Sequence, residues 1–214
     1  QQIFEIEPEL IIHDLHPEYL STKWAKDQSI PLLGVQHHHA HLAACMAENN
    51  LDGPVIGIIM DGTGYGTDGT IWGGEFLLGD ANGFERMAHF EPMPLPGGEA
   101  AIKSPWRIGL SYLHQVFDSN LPDSPALKDR DIQPIIQMLD ANINSPLTSS
   151  CGRLFDAVAA LSGGRQEIRY EAQAAIEFMQ VAQNELGKDY SIFAPTLTDG
   201  KYIIPIKSVL ENLL

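Results

Sequence analysis

Apolar positions along the chain change their period several times, and each change marks an element. Residues 10–14 (LIIHD) form a short apolar run that predicts a buried strand. His16-Pro17 ends it, because proline disfavours helical backbone in the residue before it. Ser21 is placed to cap a short helix running through Lys26. Gly34-Val35-Gln36 leads into a helix over residues 37–49, in which Leu42, Cys45, Met46 and Asn49 recur at helical spacing, and residues 50–54 stop it. Residues 55–60 (VIGIIM) carry no polar alternation, the pattern of a strand buried on both faces. A glycine-rich stretch over residues 61–70 (DGTGYGTDGT) follows, then a second strand over 71–78, so the pair predicts a hairpin with a long turn. Strand-like residues extend to Phe90, and residues 92–98 form a Pro/Gly loop. From Pro105 the period is helical, over 105–117, 131–141, 150–161 and 170–186, with an exposed loop at 118–130. Strands first and helices later predict a sheet-bearing lobe over residues 1–104 and a mainly helical lobe over 105–214.

Composition narrows the class. With 44% hydrophobic and 19% charged residues, the chain has the balance of a folded protein, and its apolar runs stop well short of the roughly 18 residues that a membrane span requires. Acids outnumber bases 28 to 13, giving a net charge of −15 and a pI near 4.7. That balance argues against a nucleic-acid surface, where phosphate neutralisation needs clustered Lys and Arg. The two cysteines, Cys45 and Cys151, are too few for a disulfide framework and form no CxxC, which points to a reducing, cytoplasmic setting. The chain opens Gln1-Gln2-Ile3 rather than with Met, as expected of a piece of a longer protein.

Candidate chemistry concentrates in His37-His38-His39-Ala40-His41 at a helix start. Positions i and i+4 share a helix face, so His37 and His41 can offer two imidazoles to one divalent metal ion. Two imidazoles need a third ligand. Asp61, at the end of the apolar strand, is the candidate, although an Asp in this place also opens turns through its own side chain. Cys45, one turn beyond His41, is a further possible ligand and equally a small buried hydrophobe. The glycines Gly62, Gly64 and Gly66 around Thr63 suit either a backbone nest for phosphate or a plain hairpin turn. Arg153 and Asp156, one helical turn apart, read as substrate contacts or as a surface salt bridge. Glu171, in Tyr170-Glu171-Ala172-Gln173, suits substrate contact or capping at a helix start.

Taken together, DLHPEYLST (14–22), VQHHHAHLAACMAE (35–48), DGTGYGTDGTIWGGEFLLGD (61–80), PLPGGEAAIKSPWR (94–107) and TSSCGRLFDAVAAL (148–161) resemble the carboxyl-terminal transferase domain of the hydrogenase-maturation carbamoyltransferases, the HypF family. The resemblance implies an α/β, actin-like ATPase fold, ribonuclease-H-like and sugar-kinase-like, truncated here at both ends. It implies that His37, His41 and Asp61 hold iron or zinc, and that Gly62, Thr63, Gly64 and Gly66 meet the phosphates of ATP or carbamoyl-adenylate. A YrdC-like domain of the same parent chain would make the adenylate. The carbamoyl group would then pass to the carboxyl-terminal cysteine of a HypE-type partner, on the way to the cyanide ligands of nickel-iron hydrogenase. Ala172 departs from the family pattern, where glycine is expected. The chain also stops before the family's Gly-Gly segment and its late metal-ligating aspartate, so an isolated fragment would be inactive and prone to dimerise through uncovered edges. Threonylcarbamoyl-adenosine synthases, O-carbamoyltransferases and a non-catalytic docking module remain alternative readings of the same residues.

Overall fold

A computed structural model of the chain describes residues 6–118, 120–183 and 194–213. A parallel pair opens it: β1 (Ile11–Asp14) and β2 (Leu32–Val35) align Asp14 with Val35, and α1 (Leu20–Lys26) crosses between them. β1 is not buried as its apolar run suggests, since Ile12 is 64% exposed, and β2 is not foreseen from the pattern, because Leu32, Leu33 and Gly34 are exposed and show no alternation. Nor does Ser21 cap α1. The helix starts at Leu20, with Tyr19 as a cap that makes no side-chain bond.

α2 (His37–Glu48) follows directly and packs on an antiparallel meander of β3 (Val55–Tyr65), β4 (Ile71–Gly79) and β5 (Phe84–Phe90). Short strands β6 (Met93–Pro94), β7 (Leu147–Thr148), β8 (Thr196–Thr198) and β9 (Lys201–Ile204) complete a seven-stranded mixed sheet. β7 joins β4 and β9 joins β5, both in parallel, so the sheet draws strands from beyond residue 105 as well. The remaining helices are α3 (Glu99–Lys103), α4 (Pro105–Phe117), α5 (Gln133–Asp140), α6 (Cys151–Leu161), α7 (Gln173–Ala182) and α8 (Lys207–Leu213). Proline at the first position of α4 suits its start, where the missing N–H has no helical partner. The expected helix over 170–186 begins later, because Ala172 adopts left-handed backbone (φ 58°) and caps it, and residues 184–186 lie outside the described residues.

Two apolar clusters hold these layers. The larger packs Ile108, Leu110 and Leu113 of α4 against Ala157, Ala160 and Leu161 of α6, with Ile206 and Leu210 at its margin. The smaller joins Leu42 and Met46 of α2 to Ile59, Trp72 and Leu77 of the meander. β3 is not buried on both faces as its composition suggests. Ile59 is covered, but Ile56 and Ile58 are 74% and 64% exposed, and among the described residues β3 pairs only with β4.

Candidate functional site

The site is built around a bulge. β3 and β4 pair Met60 with Gly74 and then Gly64 with Trp72, so residues 61–63 stand opposite Gly73 alone. A bulge of this kind re-aims side chains. Here it lets both Asp61 and Gly64 face α2, where a Cβ on residue 64 would run into the His38 ring. The hairpin turn proper is tighter than the glycine content suggests: Gly66 N–H donates to Thr70 O (2.9 Å), and Gly69 supplies the left-handed position (φ 79°). No residue from 62 to 66 has positive φ, so a nest of alternating backbone handedness is not formed there.

The four histidines divide their work. His37 Nε2 lies 3.3 Å and His41 Nε2 3.6 Å from Asp61 Oδ2, and one ligand atom from each residue falls within 4.8 Å of the others. His38 is fully buried and stacks on Trp72. Gln36 caps α2 by accepting His39 N–H (2.9 Å), and its amide donates to His38 Nδ1 (3.1 Å), which leaves the proton of His38 on Nε2. That N–H sits 3.4 Å from Asp61 Oδ2, too long and too misaligned for a full hydrogen bond. His39 points away and bonds Asp80 O (2.7 Å).

The His38 N–H beside Asp61 and the Gly62 N–H on its Oδ1 (2.6 Å), opposed by burial, hold its carboxyl at about 2. The carboxylate is therefore charged, and its buried Oδ2 has no hydrogen-bond partner. Two imidazoles and one carboxylate are borderline ligands suited to zinc or iron, and the orphaned oxygen between them fits a divalent cation. Cys45 is not part of this cluster. It lies on the exposed flank of α2, where Asn49 Nδ2 donates to the carbonyl one turn back.

Across the bulge the chemistry changes. Ser150, the cap of α6, donates to Gly62 O (2.7 Å) and Asp61 O (3.1 Å) and accepts Arg153 N–H (3.1 Å), tying α6 to the bulge. Gly152 meets Gly62 backbone so closely that a Cβ would come within 2.9 Å of its Cα. Arg153 and Asp156 form an ion pair at 2.9 Å, and it is buried, not a surface pair: the residues are 6% and 1% exposed. Its alignment is poor, so Arg153 Nε and both Asp156 oxygens lack hydrogen bonds. Burial pushes the Asp156 carboxyl up to about 6, against the pull of Arg153. A cavity of about 390 Å³ opens over Arg153, walled by Gly62, Thr63, Lys103, Glu171 and Ala172.

Beneath the hairpin lies a second buried pair that sequence reading missed. Arg86 donates to Glu75 (2.6 Å), Asp68 (3.1 Å) and Ser149 (3.1 Å), and its guanidinium rests 3.9 Å over the Trp72 ring. Glu75 also accepts from Ser149 Oγ (2.5 Å) and from the Gly73 and Gly74 amides. The predicted residues thus fall into two neighbouring groups, His37–His41–Asp61 on one side of the bulge and Arg153–Asp156–Glu171 on the other.

Comparison with known proteins matches residues 57–214 to the family model for the second subdomain of the carbamoyltransferase Kae1-like domain, and residues 1–48 to the HypF Kae1-like domain. Similar relatives include carbamoyltransferase HypF2 of Cupriavidus necator, 41% identical over 86% of this chain and 23% of its own. Carbamoyltransferase HypF of Rhodobacter capsulatus is 45% identical over 84% of this chain and 25% of its own. Among solved structures, full-length HypF in the phosphate- and nucleotide-bound form aligns with a TM-score of 0.86 at 41% identity, over 98% of this chain and 33% of that one. The HypF structure from T. kodakarensis aligns at 0.78 and 35%, over 95% of this chain and 28% of that one. The α/β architecture is accordingly of the actin-like ATPase type. The chain spans about a quarter of the length of curated relatives such as these. Among the described residues no helix is long and apolar enough to cross a membrane.

Proposed function

Because the chain belongs to the HypF carbamoyltransferase family, we propose that it is the part of a cytoplasmic carbamoyltransferase in which a carbamoyl group passes from carbamoyl-adenylate to a partner's cysteine. The observation that carries this reading is the convergence of His37, His41 and Asp61 beside the Arg153 cavity. His37, His41 and Asp61 would hold iron or zinc. The metal when bound neutralises phosphate charge and orients the leaving group.

Gly62, Thr63, Gly64 and Gly66 bring the chain's backbone close to the nucleotide. Arg153 and Glu171 line its other side, and Asp156 acts only through its ion pair with Arg153. The acceptor is a HypE-type protein, and a YrdC-like domain of the parent supplies the adenylate. The partner's cysteine sulfur attacks the carbamoyl carbon, its thiol proton leaves to solvent, and the bond from carbon to the phosphate oxygen breaks to release AMP. Neither Cys45 nor Cys151 lies in a motif that would activate it as a thiolate, and burial pushes the Cys151 thiol up. The domain therefore works by positioning and charge stabilisation.

Replacing His37, His41 or Asp61 by Ala in the parent protein is expected to abolish transfer to the partner cysteine and to spare adenylate formation. Replacing Cys45 and Cys151 by Ser leaves transfer intact. Trapping a carbamoylated cysteine in this chain during turnover would overturn the reading. A thermal-shift titration of the chain with ATP plus metal distinguishes it from a docking module, which would show no stabilisation.

A further inference from the structure

The first sequence block, DLHPEYLST, contributes no residue to the His37–His41–Asp61 cluster, yet the fold brings its leading residue to those side chains. Parallel pairing of β1 with β2 sets Asp14 opposite Val35, two residues before α2 begins. The carboxylate then reaches the first histidine of the helix: Asp14 Oδ2 lies 2.7 Å from His37 Nδ1, across 23 residues of chain. Its other oxygen accepts the His16 N–H at 2.7 Å, inside the tight turn at Pro17. Thr22 Oγ1 donates to Asp14 O (3.1 Å), which fixes the backbone of the same residue. Asp14 and His37 side chains are only 17% and 28% exposed, so water competes weakly for this bond.

We propose that Asp14 is a positioning residue of the metal site, which holds His37 in the one tautomer able to ligate. An ionised carboxylate only accepts, so the proton of neutral His37 resides on Nδ1. Nε2 then presents its lone pair to Asp61 Oδ2, which is 3.3 Å away and is itself without a donor. Two acceptors facing each other without a proton between them form a seat for a cation. A carboxylate behind a ligating imidazole also raises its basicity and fixes its ring. This inference rests on the metal reading of His37, His41 and Asp61, and its test separates the two.

The informative variant is Asp14→Asn. His16 N–H demands the amide oxygen, so the NH₂ group turns to His37 Nδ1 and selects the opposite tautomer, with the proton on Nε2. Ring-nitrogen ¹⁵N NMR of the metal-free chain is expected to show His37 as Nδ1–H in the wild type and Nε2–H in D14N, with far-UV circular dichroism unchanged. Cobalt(II) titration should then show affinity in D14N lowered by about 10- to 100-fold. Asp14→Glu, which keeps an acceptor, retains Nδ1–H and covers the case in which the amide variant folds poorly. The same His37 tautomer in wild type and D14N overturns the proposal, as does D14E switching to Nε2–H. If the wild type binds no cobalt while the tautomer switches as expected, the metal reading fails and the role of Asp14 in orienting His37 stands.

Discussion

Two arginine–carboxylate pairs are buried among the described residues, and they are built on opposite principles. Around Arg86 and Glu75 every strong donor meets an acceptor: Ser149, Asp68 and two strand amides complete the pair, and Trp72 covers the guanidinium face. Around Arg153 and Asp156 three polar atoms lack partners, and the neighbouring Ala172 stands in left-handed backbone. Burying charge is tolerated when its hydrogen bonds are complete, and unpaired buried groups collect where a site must remain ready for a ligand. Arg86 therefore ties the hairpin to its neighbours, whereas Arg153 keeps an unpaired donor and lines the cavity.

The largest effect expected from this contrast comes from removing each cation. Arg86→Met leaves Glu75 buried and unpaired, and urea unfolding should show a loss of about 3–5 kcal/mol. Arg153→Met should lose less, about 1–2 kcal/mol at pH 5, because Asp156 can take up a proton instead. Equal losses in the two variants at pH 5 and pH 8 would erase the distinction.

The next effect is a pH slope. In the folded chain Asp156 titrates near 6, above its unfolded value near 3.9, so over that interval the folded state keeps a proton that the unfolded state releases. The contribution of Asp156 to stability consequently falls as pH rises from about 4 to 6, by at most about 3 kcal/mol. Asp156→Asn lacks this slope, and the difference between the two proteins should shift in the variant's favour across that window. A difference that stays constant with pH would show that Asp156 is ionised throughout.

Ser149→Ala sharpens the comparison from the other side. It removes one acceptor from Arg86 and one donor to Glu75, and thermal unfolding should register about 1–2 kcal/mol of destabilisation with metal affinity unchanged. The smallest effect belongs to Ala172→Gly, which relieves left-handed backbone but loosens the unfolded chain. We expect a net gain of roughly 0.5 kcal/mol, and a loss would mean that the alanine methyl packs usefully in the cavity wall.

How much of this was legible in the sequence depends on how local each feature is. α2 and the β3–β4 hairpin follow from periodicity, because their pattern is written in consecutive residues. β7, β8 and β9 are two to four residues long and are defined by pairing with distant strands, so no window reveals them. An unbroken apolar run marks β3 as a strand but does not say whether a neighbour covers Ile56 and Ile58. In the site, His37 and His41 are readable from i,i+4 geometry. Asp14 and His38 are not, since one acts across 23 residues and the other through the Gln36 amide. Arg153 and Asp156 leave substrate contact and a surface pair both open in the sequence, because charge gives no sign of its own burial. The departure from the family pattern at Ala172 falls on a positive φ, a conformation that glycine adopts without strain and that no sequence window reveals.

The bulge at residues 61–63 makes the site depend on counting as well as on chemistry. Side chains alternate between the faces of a strand, so a one-residue deletion there would turn Gly64 and Tyr65 to the opposite face unless the Gly66–Thr70 turn absorbed the shift. The close approach of Gly64 to the His38 ring would then be lost. Substitutions along this loop are negotiable one at a time, but its length is not. Over evolutionary drift, insertions and deletions should therefore be filtered more severely here than changes of residue, and any lineage that alters the spacing between Asp61 and Trp72 must adjust the turn along with it.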